Sequence, residues 1–301
     1  MYNGYMNFKK PCRLCAFSGG MAFSLCVFIY LILSLVVSPI IAAGGGEEWT
    51  KYLGYLVSPI AICITLAVMY SYCGVPAKSL FPVRTKPKYI LIGVALVFGL
   101  LFSLGGLNEL FISALEKLGY VRNPSTLPDV TGWKVVPVLI VVAVLPAVGE
   151  ELLFRAMILN NAEEEAGSIR AALLVGLCFS LYHGSVEQTI YQFICGCLFA
   201  FLAIRSRSVT PVVIIHFLNN ALIIVLTAVG VTDETGSLVA SQGALIAIYV
   251  LSAIALVAAI VLLIFDKSPL KRGKEGATSR FFLGAAAGLV VMAVLWIAGL
   301  F

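Results

Sequence analysis

Apolar runs recur along the whole chain, each roughly 18 to 25 residues long, which is the length an α-helix needs to cross about 30 Å of hydrocarbon. That recurrence narrows the fold more than any other feature. The runs are continuous rather than alternating, so they do not suit the strands of a transmembrane β-barrel, where every second side chain faces a polar lumen. Composition agrees: 61% of the 301 residues are apolar and 12% are charged, too few polar side chains to cover a water-soluble domain of this size. The expected fold is all-α, a polytopic transmembrane helical bundle in a cell membrane.

The candidate spans are Met21 to Ala43, Leu53 to Tyr72, Tyr89 to Gly106, Val135 to Asn160, Ala171 to His183, Thr189 to Ile204, Val209 to Gly230, Ala244 to Phe265 and Phe281 to Phe301. That is about nine, or eight if one short segment is re-entrant. The first follows Lys9, Lys10 and Arg13 and is too long for the apolar region of a cleaved leader, so it is expected to stay as a signal anchor. Cytoplasmic loops carry an excess of Lys and Arg. With the N-terminus cytoplasmic, fifteen lie in inner segments, at positions 9, 10, 13, 78, 84, 86, 88, 170, 205, 207, 267, 271, 272, 274 and 280, against four outside, Lys51, Lys117, Arg122 and Lys134. The net charge of +5 is thus spread over loops that report topology, and no nucleic-acid partner is expected. The chain divides into N-terminal spans (1–134), a polar-seeded core (135–230) and C-terminal spans (231–301).

Two smaller features fit this frame. Leu107, Leu110, Phe111, Ala114, Leu115 and Leu118 repeat at helical spacing opposite Asn108, Glu109, Glu116 and Lys117, which predicts an amphipathic helix lying at the headgroups. Cys26, Cys63, Cys178, Cys195 and Cys197 fall in apolar spans, where cysteine packs as a small hydrophobe. Cys12 and Cys15 have CxxC spacing but lack the second pair that a zinc ribbon needs.

Charged and strongly polar side chains inside a span each require a partner, a cavity or a function. Away from span ends they are Glu150, Glu151 and Arg155, then His183, Gln192, His216, Asn219 and Asn220, all between the fourth and seventh spans. Both histidines of the chain are among them. Glu151 and Arg155 are four apart in the favourable acid-before-base order, so a charge-assisted bond holds that carboxylate, while Glu150 points about 100° away and is free. His216 and Asn220 share a face in the same way, and Phe179 and His183 repeat the spacing. A buried carboxylate suits a general base, and a histidine beside an amide suits an oxyanion. Gln192 and Asn219 are expected to form interhelical hydrogen bonds, and Tyr182 and Tyr191 to pack. From the residues alone the cluster is a buried hydrolytic or proton-handling site, and Glu151 with Arg155 also fits a simple clamp between helices.

Taken in order, Glu150-Glu151-x-x-x-Arg155, Phe179-x-x-x-His183 and His216-x-x-x-Asn220, each in its own span, resemble the CAAX protease and bacteriocin-processing (CPBP, Abi or Rce1-like) family of membrane endopeptidases. The resemblance covers about Val144 to Ala221. It implies an intramembrane endopeptidase in which Glu150 with His183 activates water, His216 and Asn220 stabilise the oxyanion, and Glu151 with Arg155 supports the site. It leaves open both metallopeptidase and glutamate-dependent chemistry. A zinc ion would take Glu150, His183 and His216 with one position open for water. The donors lie on three helices without an HExxH, so no cofactor is needed on the preferred reading.

The implied substrate is a membrane-associated or lipidated peptide or protein, cut near the cytoplasmic side because His216 follows the basic Arg205 to Arg207 loop closely. The readings set against this one are a proton-coupled transporter, with Glu150, His183 and His216 as a relay, and a non-catalytic membrane scaffold or immunity protein. Oligomeric state is not encoded in any of these features.

Overall fold

Among the described residues, eight of the apolar runs form helices long and apolar enough to cross a bilayer, and a ninth, shorter apolar helix stands among them. The computed structural model describes residues 15–73, 85–122, 127–232 and 238–300. It is 81% helical, with no strand among the described residues. Cys12, and with it the Cys12 to Cys15 spacing, lies outside those residues, as do Lys9, Lys10, Arg13, Lys78 and Arg84.

Helix α1 (Ala16–Ala43) is followed by α2 (Glu48–Cys73) and α3 (Pro87–Gly99). A π-helical turn at Leu100–Leu104 carries α3 directly into α4 (Gly105–Lys117), making one continuous apolar helix from Pro87 to Lys117. This corrects the expectation of a separate helix at the headgroups. Over its first turn it also reverses the expected orientation, while Glu116 and Lys117 remain exposed. Leu107 and Leu110 face outward, whereas Asn108 and Glu109 line an internal cavity. In lipid the apolar stripe is the outer surface, so an amphipathic helix turns its polar side to the protein.

A second long helix runs from Gly132 to Ala166. Within it α5 (Val135–Val138), α6 (Leu145–Glu151) and α7 (Asn160–Ala166) are separated by π-helical stretches at Leu139–Val144 and Leu152–Leu159. Such widenings arise where a side chain or missing donor disturbs the regular ladder, and Pro146 removes one donor here. The helices α8 (Ser168–Tyr182) and α9 (Thr189–Ser206) form a tight hairpin, followed by α10 (Thr210–Ala228), α11 (Gln242–Ile264) and α12 (Ala277–Ala298). At 15 residues α8 is the short member.

Small residues set the closest helix approaches. A Cβ on Gly20 would lie 2.1 Å from the Phe281 carbonyl oxygen, and one on Gly284 would lie 2.3 Å from that of Phe17. Between them Ser24 donates to the Gly284 carbonyl at 2.8 Å and accepts from the Gly288 amide at 3.1 Å. The α8 to α9 crossing is equally close, with Gly176 against Cys197 and Gly196 against Gly176. Without a hydrophobic drive between helices in lipid, such backbone approach supplies the packing energy.

The two ends of the bundle differ in charge. At one end Arg207 pairs with Glu163, Arg280 with Glu165, Lys271 with Glu164 and Lys88 with Asp266, and Arg205 donates to the Ser268 and Ile264 carbonyls. At the other, Glu48 accepts from the Asp129 amide, Lys51 donates to the Leu127 carbonyl at 3.2 Å, and Tyr120 donates to Glu187 at 2.8 Å. Segments expected on the same side of a membrane therefore meet one another, as alternating spans require.

Candidate active site

Glu150 and Glu151 occupy the last two positions of α6, between the two π-helical stretches. Neighbours on a helix diverge by about 100°, and here they enter different environments. Glu151 is completely buried and its Oε1 accepts two bonds, from Arg155 Nη1 at 2.8 Å and from His216 Nδ1 at 2.7 Å. Glu150 lines a cavity of about 910 Å³, and its Oε2 is buried with no hydrogen-bond partner. Glu151 Oε2 also lacks a partner, so what separates the two carboxylates is that Glu151 is bonded through Oε1 behind the wall whereas Glu150 faces the cavity.

Arg155 is buried to 1% exposure, an expensive position for a cation. Three kinds of contact hold it. Besides Glu151, its Nη2 donates to the Gly196 carbonyl at 3.3 Å, and the guanidinium lies 4.5 Å from the Phe179 ring centroid and 5.6 Å from that of Phe199. Because Phe179 also packs edge-on against His183, with centroids 4.7 Å apart, one ring both shields the cation and supports the imidazole. His183 Nδ1 meets the Phe179 carbonyl at 2.8 Å, which orients the ring with Nε2 as its remaining nitrogen. His216 is oriented likewise through Glu151. This Glu151 to His216 contact joins residues in different spans, and no spacing rule could have found it.

Asn220 has a different anchor. Pro146 has no N–H, so the Val142 carbonyl four residues back lacks its α-helical donor. Asn220 Nδ2 supplies one at 3.1 Å. Its Oδ1 accepts from Asn219 Nδ2 at 3.3 Å, and Asn219 Oδ1 in turn accepts from the Tyr191 hydroxyl at 3.1 Å. The amide is held at both ends, with one N–H left over. Asn219 makes the interhelical bond expected of it, and Tyr191 proves to be more than packing. Gln192 does not bond across helices: its Nε2 donates to Gln188 Oε1 at 3.2 Å, four residues back on the chain. Tyr182 bonds Ser58 at 3.1 Å at the cavity wall.

Glu150, His183, His216 and Asn220 all line the same cavity, with Glu151 and Arg155 directly behind. The cavity does not lead toward the Arg205 to Arg207 loop. Its walls continue to Thr50, Lys51, Glu109, Leu127, Thr232 and Leu238, at the end opposite the basic cluster. Glu150, His183 and His216, the donors named for a zinc ion, do not come together as an ion-holding group: among the described residues no three His, Cys, Asp or Glu side chains are placed to share a metal. The donor types suit zinc, but their placement here does not.

The fold and site define a multi-pass helical membrane protein with a buried carboxylate and histidine cluster on an internal cavity. Residues 132–222 match the family described as type II CAAX prenyl endopeptidase Rce1-like, so the chain carries an Rce1-like domain that includes every residue of the cluster. The match supports a CAAX-type intramembrane protease in general. Comparison with curated proteins and with solved structures found no match.

Proposed function

We propose that the protein is an intramembrane endopeptidase in which Glu150 is the general base toward water, His183 orients that water, and His216 with Asn220 receives the oxyanion. The observation that carries this reading is the unpartnered Glu150 carboxylate oxygen on a cavity also lined by both histidines. Water placed between Glu150 and His183 Nε2 gives a proton to Glu150 as its oxygen attacks the peptide carbonyl carbon. In its doubly protonated form His216 presents Nε2–H to the resulting oxyanion. Once Glu150 holds the proton, Glu151 and the oxyanion carry the two negative charges that face Arg155 and this form of His216, so the low-dielectric site is balanced. The second N–H of Asn220 is the other donor, and such donors contribute about 3 kcal/mol each to the transition state. Collapse breaks the C–N bond, and the proton on Glu150 passes to the leaving nitrogen, so one half leaves as an amine and the other as a carboxylic acid.

A proton relay across the membrane would draw on access from both ends. A second cavity, of about 200 Å³, lies beside Arg155 on the basic side and shares no lining residue with the large one. That arrangement favours a closed hydrolytic pocket. Comparing cleavage products in membranes carrying the wild type and Glu150→Gln tests the reading. The substitution keeps shape and removes the base, so products should fall by at least 100-fold at unchanged protein level. Equal product profiles would overturn the assignment.

A further inference from the structure

The position of the large cavity bears on which side of the membrane its substrate comes from. Its lining includes Lys51, Leu127 and Thr232, and includes no residue of the basic end at 85–89, 160–170, 203–210 or 264–280. From the basic end only the small cavity approaches the site. It stops at Arg155, whose guanidinium is flanked by Phe179 and Phe199. Among the described residues the basic end carries ten Lys and Arg, and the cavity end carries four, Lys51, Lys117, Arg122 and Lys134, beside six carboxylates. Lys and Arg accumulate on the cytoplasmic side of membrane proteins, while acidic residues have little influence on orientation.

From these observations we infer that the site takes its substrate from the non-cytoplasmic side of the membrane, as an extended peptide segment threaded into the large cavity. The inference rests on the endopeptidase reading for the nature of the substrate, and on the cavity and charge distribution for its side. It departs from the cytoplasmic cleavage expected from the closeness of His216 to the Arg205 to Arg207 loop, because sequence distance from that loop does not show which way the cavity runs. The depth sets a length. On α2, Lys51 lies at the cavity end and Ile62 lies beside Gly149, next to the base. The helical rise between them is about 16 Å, which an extended chain covers in about five residues. Folded domains cannot reach Glu150, whereas a flexible terminus or an unwound loop of that length can.

Two measurements on sealed vesicles of both orientations, carrying the full chain, test this. In the first, Thr232→Cys at the cavity end and Lys267→Cys at the basic end are treated with a membrane-impermeant maleimide, with the unsubstituted protein as background for the native cysteines. Thr232→Cys should label in right-side-out vesicles and Lys267→Cys in inside-out ones. The reverse pattern overturns the proposal. In the second, impermeant fluorogenic peptides of four to twelve residues are supplied from outside. Right-side-out vesicles should cleave them in a Glu150-dependent manner, with turnover rising once about five residues flank the cut. Glu150-dependent cleavage confined to inside-out vesicles overturns the proposed side. The expected labelling without Glu150-dependent cleavage in either orientation overturns the endopeptidase reading, and with it the substrate, but not the sidedness of the cavity.

Discussion

The α1 to α12 contact and the α6 to α10 contact solve the same problem, association of helices in lipid, in opposite ways. The first contains no ion pair. Gly20, Gly284 and Gly288 let the backbones touch, and Ser24 bridges two main-chain groups. The second is built from groups that lipid penalises: a carboxylate gripped by a cation and an imidazole, and a proline-freed carbonyl met by an amide. The lesson is that the glycine contact can only hold helices, whereas the polar contact also leaves groups unsatisfied, and one of them, Glu150 Oε2, belongs to a residue lining the cavity.

The comparison can be broken at its most charged point. Glu151→Ala leaves Arg155 buried without its carboxylate, a loss of about 3–5 kcal/mol, seen as a fall in the thermal midpoint of detergent-solubilised protein. Joint replacement by Glu151→Leu and Arg155→Met should restore most of that stability, since an apolar pair of similar volume avoids the desolvation cost. It should not restore cleavage, because His216 has lost its anchor. Recovery of activity in the double variant would show that the pair is a clamp and nothing more.

The glycine side breaks less severely. Gly284→Ala places a methyl group against the Phe17 carbonyl and forces α1 from α12, with an expected cost of about 1–3 kcal/mol in the same melt and an unchanged KM. The smallest effect sharpens the polar side. Tyr191→Phe removes the donor to Asn219 and loosens the amide of Asn220, at about 1 kcal/mol or less in stability. Single-turnover rates should drop roughly tenfold at unchanged substrate affinity. A rise in KM with constant kcat would instead make Tyr191 a substrate contact.

Much of this architecture is legible in the sequence. Helices form where the apolar runs predict them, because in a bilayer the chain has few alternatives to satisfying its own backbone. The divergence of Glu150 from the Glu151 and Arg155 pair follows from helical geometry alone. What could not be read were relations between helices. The 65 positions separating His216 from Glu151 carry no periodicity. The Val142 to Asn220 bond had one available signal, Pro146, whose missing donor identifies the carbonyl in need. The stripe from Leu107 to Leu118 is ambiguous in sequence because an amphipathic pattern has the same period whether its polar face meets water at the headgroups or a cavity within the protein.

The Asn220 bond to Val142 has a mechanical side. It ties Asn220 on α10, the proposed oxyanion donor, to the backbone of the helix that carries Glu150, a few residues upstream of that carboxylate. A slip of α10 by a single residue, about 1.5 Å, would break that tie and detune both groups together. On the proposed mechanism the hydrogen bond therefore acts as a gauge between two rods, holding base and donor in register along the helix axes.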